Sequence, residues 1–152
     1  FSNEEIVLMI EKMTKEGANK KFKLCPYVVE SIYELSKNNE IFFITSRVHR
    51  EGTKESLEKI FPDLKYELIF SHNPYVGNVG KNKGEICSDL GIDYMIEDSW
   101  EHAEKCIDYN IKCFLIDKPW NKHRFESEFI YLVRDFREIV EVFRNEENKI
   151  RN

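Results

Sequence analysis

The sequence predicts a Rossmann-like α/β fold, a parallel sheet with helices on both faces. Three observations lead there. Apolar runs at 41–44, 92–96 and 111–116 lack a polar side, as expected of strands buried on both faces. Segments with apolar residues at helical spacing alternate with these runs along the chain. Two runs end in clustered polar groups: Ile41-Phe42-Phe43-Ile44 in Thr45-Ser46-Arg47, and Tyr94-Met95-Ile96 in Glu97-Asp98. Open parallel sheets bind ligands beyond the carboxyl ends of their strands. Paired acids at one tip suit a hard cation such as Mg²⁺, and hydroxyls with a guanidinium at another suit a phosphate.

Bulk properties narrow the class. A chain of 152 residues fits one domain with a sizeable core. Its 41% hydrophobic and 13% aromatic content argues against disorder. A net charge of −5 does not favour nonspecific nucleic-acid binding, although a small anion can still be held locally. No apolar run approaches the ~20 residues of a membrane span, and no signal peptide is visible. Cys25, Cys87, Cys106 and Cys113 have no CxxC spacing and read as reduced core thiols of a cytosolic protein.

The elements follow in order. Ser2 and Glu5 form a capping box before a helix with Ile6, Met9, Ile10 and Met13 at helical spacing, and Gly17 is its stop. Pro26 suits the first turn of a helix with the stripe Val28, Val29, Ile32 and Leu35. After the strand at 41–44, Thr53 is expected to cap a helix carrying Leu57, Ile60 and Phe61, stopped by Pro62. A short strand at Tyr66–Phe70 and a loop from Ser71 to Lys81 follow. Lys83 opens a helix with Ile86, Cys87 and Leu90 inward and Gly91 as its stop.

The strand ending at Glu97-Asp98 leads to Ser99, which starts a helix burying Ala103, Cys106 and Ile107 and ending at Asn110. A strand at Ile111–Ile116, the loop Asp117-Lys118-Pro119-Trp120-Asn121 and a strand at Phe129–Val133 come next. Asp135 and Glu138 form a second capping box, for a helix with Phe136, Ile139, Val140 and Phe143 inward. The charged end is expected to fray.

These segments together resemble the haloacid dehalogenase (HAD) superfamily, most closely its 5′(3′)-deoxyribonucleotidase branch. The resemblance runs from about Lys23 to Phe143. It rests on Ile41-Phe42-Phe43-Ile44-Thr45-Ser46-Arg47, Lys83-Gly84-Glu85-Ile86-Cys87, Met95-Ile96-Glu97-Asp98-Ser99, the Asp117–Asn121 loop and Val133-Arg134-Asp135-Phe136-Arg137-Glu138-Ile139. It implies a HAD-like core at 23–144, the end of a small helical cap at 1–22 and a charged tail at 145–152. It also implies a cytoplasmic, Mg²⁺-dependent phosphohydrolase acting on a small phosphomonoester of the nucleotide type, with no nucleic-acid or membrane partner. Oligomeric state is left open.

The resemblance also assigns roles. Thr45 and Ser46 donate to phosphate, Arg47 pins a phosphate or another substrate group, Lys83 neutralises phosphate and orients the nucleophile, and Glu97 and Asp98 hold Mg²⁺. Lys81 is the runner-up for Lys83. Glu97 stands where such pairs more often have Asp. His49 and His72 lie at the expected active edge, whereas His102 and His123 read as solvated. Trp100 and Trp120 follow strand tips and could form a base-binding wall, with ordinary aromatic packing as the commoner explanation.

One motif of the family is missing. No Asp-x-Asp ends an apolar strand before Thr45, although the family's nucleophile and general acid sit there. The expectation is that this strand precedes Phe1, or that another segment fills its place, between the strands ending at Thr45 and Glu97. The alternative is a non-catalytic HAD-like binding or scaffolding domain. A receiver-like signalling domain is disfavoured, because Lys83 precedes the acids here.

Overall fold

The computed structural model describes residues 5, 9, 23–73, 80–121 and 127–150. Its elements are α1 (Val28–Leu35), β1 (Phe42–Thr45), α2 (Arg50–Ile60), β2 (Glu67–Phe70), α3 (Lys83–Leu90), β3 (Tyr94–Glu97), α4 (Trp100–Ile107), β4 (Lys112–Ile116), β5 (Ile130–Val133) and α5 (Phe136–Ile150). The fold is α/β, and each strand pairing is parallel. The strands form two sheets, β1-β2 and β3-β4-β5. The chain divides into two compact units, Phe1–Leu24 with Glu40–Lys81, and Cys25–Asn39 with Asn82–Asn152. β1 and β3 are not paired with each other, and no described residue supplies a strand between them.

In the first unit β1 and β2 run in register from Phe42 opposite Glu67 to Thr45 opposite Phe70. Phe43 stacks on Phe61, with ring centres 5.4 Å apart, and meets the edge of Tyr66 at 5.1 Å. These three rings supply apolar contact that two short strands cannot supply alone. α2 begins earlier than the sequence suggested. His49 is its N-cap, and the ring Nδ1 accepts from the Gly52 N–H at 2.9 Å. Thr53 lies inside the helix and donates its hydroxyl to the His49 carbonyl at 2.8 Å. An imidazole nitrogen takes an orphan N–H of the helix start, a role that Ser, Thr, Asp or Asn usually fills.

In the second unit the register sets two faces, because side chains alternate along a strand. Met95, Glu97, Cys113 and Leu115 share one face. Tyr94, Phe114 and Tyr131 share the other, where Phe143 of α5 meets Tyr94 and Phe114 at 4.5 and 5.7 Å. On the first face α3 brings Cys87 to Met95, with the sulfurs 3.8 Å apart, and α4 brings Cys106 to Cys113. Helices therefore cover both faces of this sheet. α1 packs on α5, where Glu34 accepts from Arg144 at 2.7 Å.

Gly84 controls how closely α3 approaches α4. A Cβ there would lie 2.4 Å from the Lys105 carbonyl oxygen and 3.0 Å from the Tyr109 ring. Gly91 ends α3 at φ 64, in the left-handed region where a side chain is disfavoured. Leu90 was expected inward but is exposed: it is on the same side of α3 as Ile86 and Cys87, but it is the last residue of the helix, next to the Gly91 stop.

α5 also departs from expectation. Asp135 accepts from the Arg137 and Glu138 N–H groups, but Glu138 reaches back to the Arg134 N–H at 2.7 Å, outside a regular capping box. The helix then continues through the charged stretch to Ile150, where fraying was expected. Of the expected N-terminal helix only Glu5 and Met9 are described, and both are helical; the rest of 1–22, loop residues 74–79 and His123 lie outside the described residues. Among the described residues no helix is long and apolar enough to cross a membrane.

Candidate functional site

Lys83 is the first residue of α3, and two local devices hold it. Asn82 caps the helix by accepting from the Glu85 N–H at 3.0 Å, while Glu85 accepts from the Asn82 N–H at 2.7 Å. This reciprocal box stabilises a helix start where a lysine faces the positive end of the dipole. Gly84 then lets the α3 backbone sit against the Lys105 carbonyl.

Glu97 ends β3 on the same sheet face as Met95, and its carboxylate accepts from the Lys83 ammonium. Both side chains are largely out of water, at 11% exposure for Lys83 and 5% for Glu97. The desolvation cost of two such charges is large, and each needs the other. The expected meeting of Lys83 with the acidic pair is thus present at Glu97.

Asp98 is exposed, one residue beyond the strand. Its backbone carbonyl accepts two hydrogen bonds, from the Trp120 indole Nε1–H at 2.7 Å and from the Asn121 amide at 3.0 Å. Ser99 occupies the N-cap position of α4 but makes no side-chain cap. Asn121 Oδ1 accepts from the Trp100 N–H instead, at 2.9 Å. Asn121 is 1% exposed. A polar residue in a loop carries no periodicity that marks it as buried, so the sequence pointed to its loop but not to the residue.

Trp120 is 62% exposed, which removes core packing as the reason for its position; the Lys118 ammonium lies 5.9 Å from its ring centre. His102 is not the solvated residue expected. It is half-buried on α4, where desolvation and then the Lys83 charge lower its pKa.

Thr45, Ser46 and Arg47 belong to the other unit, at the tip of β1. Thr45 Oγ1 accepts from the Arg47 N–H at 3.2 Å, and the Ser46 carbonyl accepts from the Asn73 amide at 2.6 Å. The Arg47 side chain is exposed. Ser71, following β2, has the one buried side-chain oxygen among the described residues without a hydrogen-bond partner. His49 acts as a helix cap, and Lys81 is exposed, its carbonyl accepting from the His72 N–H at 2.9 Å.

Cys87, Cys106 and Cys113 are fully buried in the second unit, Cys25 is half-buried, and all are free thiols. Burial pushes the Cys87 thiol up to about 12. Cys113 is raised by its hydrogen bond to Cys106 and by burial, while the same bond lowers Cys106. No family model matches the chain, and no curated protein matches it.

Proposed function

We propose that this chain is the core of a Mg²⁺-dependent phosphohydrolase of the HAD type, acting on a small phosphomonoester of the nucleotide class in the cytoplasm. The observation that carries the reading is the Lys83–Glu97 pair, with Asp98 exposed at the next position. A lysine at the start of a helix and two acids at the end of a parallel strand match the order of the motifs in the resemblance.

The donor chemistry fits Mg²⁺. That ion takes one or two carboxylates and fills the remaining positions with water and phosphate oxygens. Glu97 and Asp98 supply such a pair, and among the described residues no third His, Cys, Asp or Glu joins them to make a closed site. The Asp98 carbonyl already accepts twice, so the exposed Asp98 carboxylate is the group open to an ion. When bound, Mg²⁺ would offset the charge on a phosphate. Lys83 holds positive charge beside Glu97; in the other unit Thr45 and Ser46 carry hydroxyls and Arg47 a solvent-facing guanidinium. No Asp-x-Asp ends an apolar strand before Thr45 to supply the family's attacking aspartate.

One observation favours a second reading, a non-catalytic HAD-like domain. Lys83 and Glu97 already neutralise each other in the interior, which is sufficient as a purely structural role. Phosphate release from a nucleoside monophosphate decides between them. The first reading expects Mg²⁺-dependent release from the full-length protein, abolished by chelator and reduced by Asp98→Asn. No release by that protein favours the second. Release by residues 1–152 alone would place the nucleophile among them.

A further inference from the structure

We propose that Asn121 is a positioning residue for Asp98, holding the turn between β3 and α4 so that the exposed carboxylate meets a cation in a fixed direction. The inference rests on the metal-and-phosphate reading of the acidic pair. Its basis is the number of bonds made by one buried amide. Asn121 Nδ2 donates to the Asp98 carbonyl at 3.0 Å and to the Ile116 carbonyl at 3.2 Å, while Oδ1 accepts from the Trp100 N–H at 2.9 Å. Both amide donors and the amide oxygen are engaged.

Those three bonds join the end of β4, the residue after β3 and the first residue of α4. Glu97 is already fixed in register opposite Leu115 of β4. Asn121 extends that registration one residue further, where strand pairing has stopped. Trp120 adds a second donor to the same Asp98 carbonyl at 2.7 Å, so both lone pairs of that oxygen are engaged. Neighbours of this kind, which orient the ligands of a metal without touching it, commonly change metal affinity by about 10–100-fold when removed. A buried Asn with only a packing role would alter stability and leave the affinity of a folded variant unchanged.

The test is a Mg²⁺ titration of the ¹⁵N-labelled full chain, read at the Asp98 and Ser99 amides and at the Trp120 indole N–H. It compares wild type with Asn121→Ala and Trp120→Phe, each first checked for a cooperative thermal transition. Asn121→Ala should weaken Mg²⁺ binding by about 10–100-fold. Trp120→Phe should weaken it by roughly threefold, since water can replace the indole at an accessible carbonyl. If Asn121→Ala does not fold, Trp120→Phe decides, because its exposed ring can be changed without opening the core. Unchanged affinity in the folded variants overturns the inference and leaves the acidic-pair reading standing. A wild-type protein indifferent to millimolar Mg²⁺ overturns that reading, and the inference with it.

Discussion

The strand tips of the two units are held by different means. At the tip of β3 the ties are side chains reaching across elements: Lys83 to Glu97, and Trp120 and Asn121 to Asp98. At the tip of β1 the Thr45 hydroxyl is tied to a backbone N–H two residues on, and Asn73 reaches the Ser46 carbonyl. The first tip buries a charge pair and an amide, while the second leaves Arg47 in solvent. Removing one member of an interlocked buried set strands its partner, whereas an exposed group can turn to water. Substitutions of similar size should therefore differ sharply between the tips.

The largest expected difference concerns the charge pair. The substitution that tests it is Lys83→Ala. With Glu97 only 5% exposed, that substitution leaves a buried carboxylate without its counter-charge and should cost about 3–5 kcal/mol. Arg47→Ala, at the other tip, should stay within about 0.5 kcal/mol. The double variant Lys83→Met with Glu97→Leu should recover most of the loss, since an apolar pair needs no partner charge. Urea unfolding midpoints measure all three, and a Lys83→Ala midpoint equal to wild type would show that the pair is solvated.

Much of the fold was legible because its signals are local. Doubly apolar runs gave β1 and β4 to within a residue and β3 to within two, and Gly91 and Pro62 marked helix ends by backbone geometry. The Lys83–Glu97 meeting was legible too, since a helix start and a strand end are fixed by pattern. The remainder depended on tertiary partners. His49 displaced Thr53 as a cap. Asn121 took over from Ser99 at α4. His102 was taken out of solvent on α4, where burial first and then the Lys83 charge lower its pKa. In each case a residue distant in sequence, or of an unusual type, filled a role that local propensity gives to another.

A smaller difference separates two glycines. A Cβ on Gly84 or on Gly52 would meet a neighbour at the same distance, 2.4 Å, but the neighbours are unlike. At Gly84 it is the Lys105 backbone carbonyl, which cannot move without shifting α4. Gly84→Ala should cost about 1–3 kcal/mol through overpacking and disturb the placement of Lys83. At Gly52 the neighbour is the exposed His49 ring, which can rotate away. That loses a cap worth about 1 kcal/mol, while alanine in the helix regains about 1 kcal/mol, so Gly52→Ala should be nearly neutral. Thermal midpoints of the two variants check this, and equal losses would mean that the α3–α4 contact is softer than its geometry indicates.

The last difference opens only in alkaline solution, and it reads the second unit alone, because all four cysteines belong to it. Cys87 has no exposure in the folded protein, and burial lifts its thiol from 9.0 to about 12. A group with a raised folded pKa contributes its full share of stability below the unfolded value. As pH climbs from about 9 toward 12, the unfolded chain loses the proton first and gains stability relative to the native state. Cys87 should therefore add to alkaline destabilisation in that window, with a slope of up to about 1.4 kcal/mol per pH unit. Lysines and tyrosines titrate over the same range, so the informative quantity is the difference between wild type and Cys87→Ala. The variant should start less stable at pH 7 and close part of that gap by pH 10.5, as read from urea midpoints. A gap that stays constant across the window would mean that the Cys87 thiol ionises in the native protein as readily as in the unfolded chain, and that water reaches the space between α3 and β3.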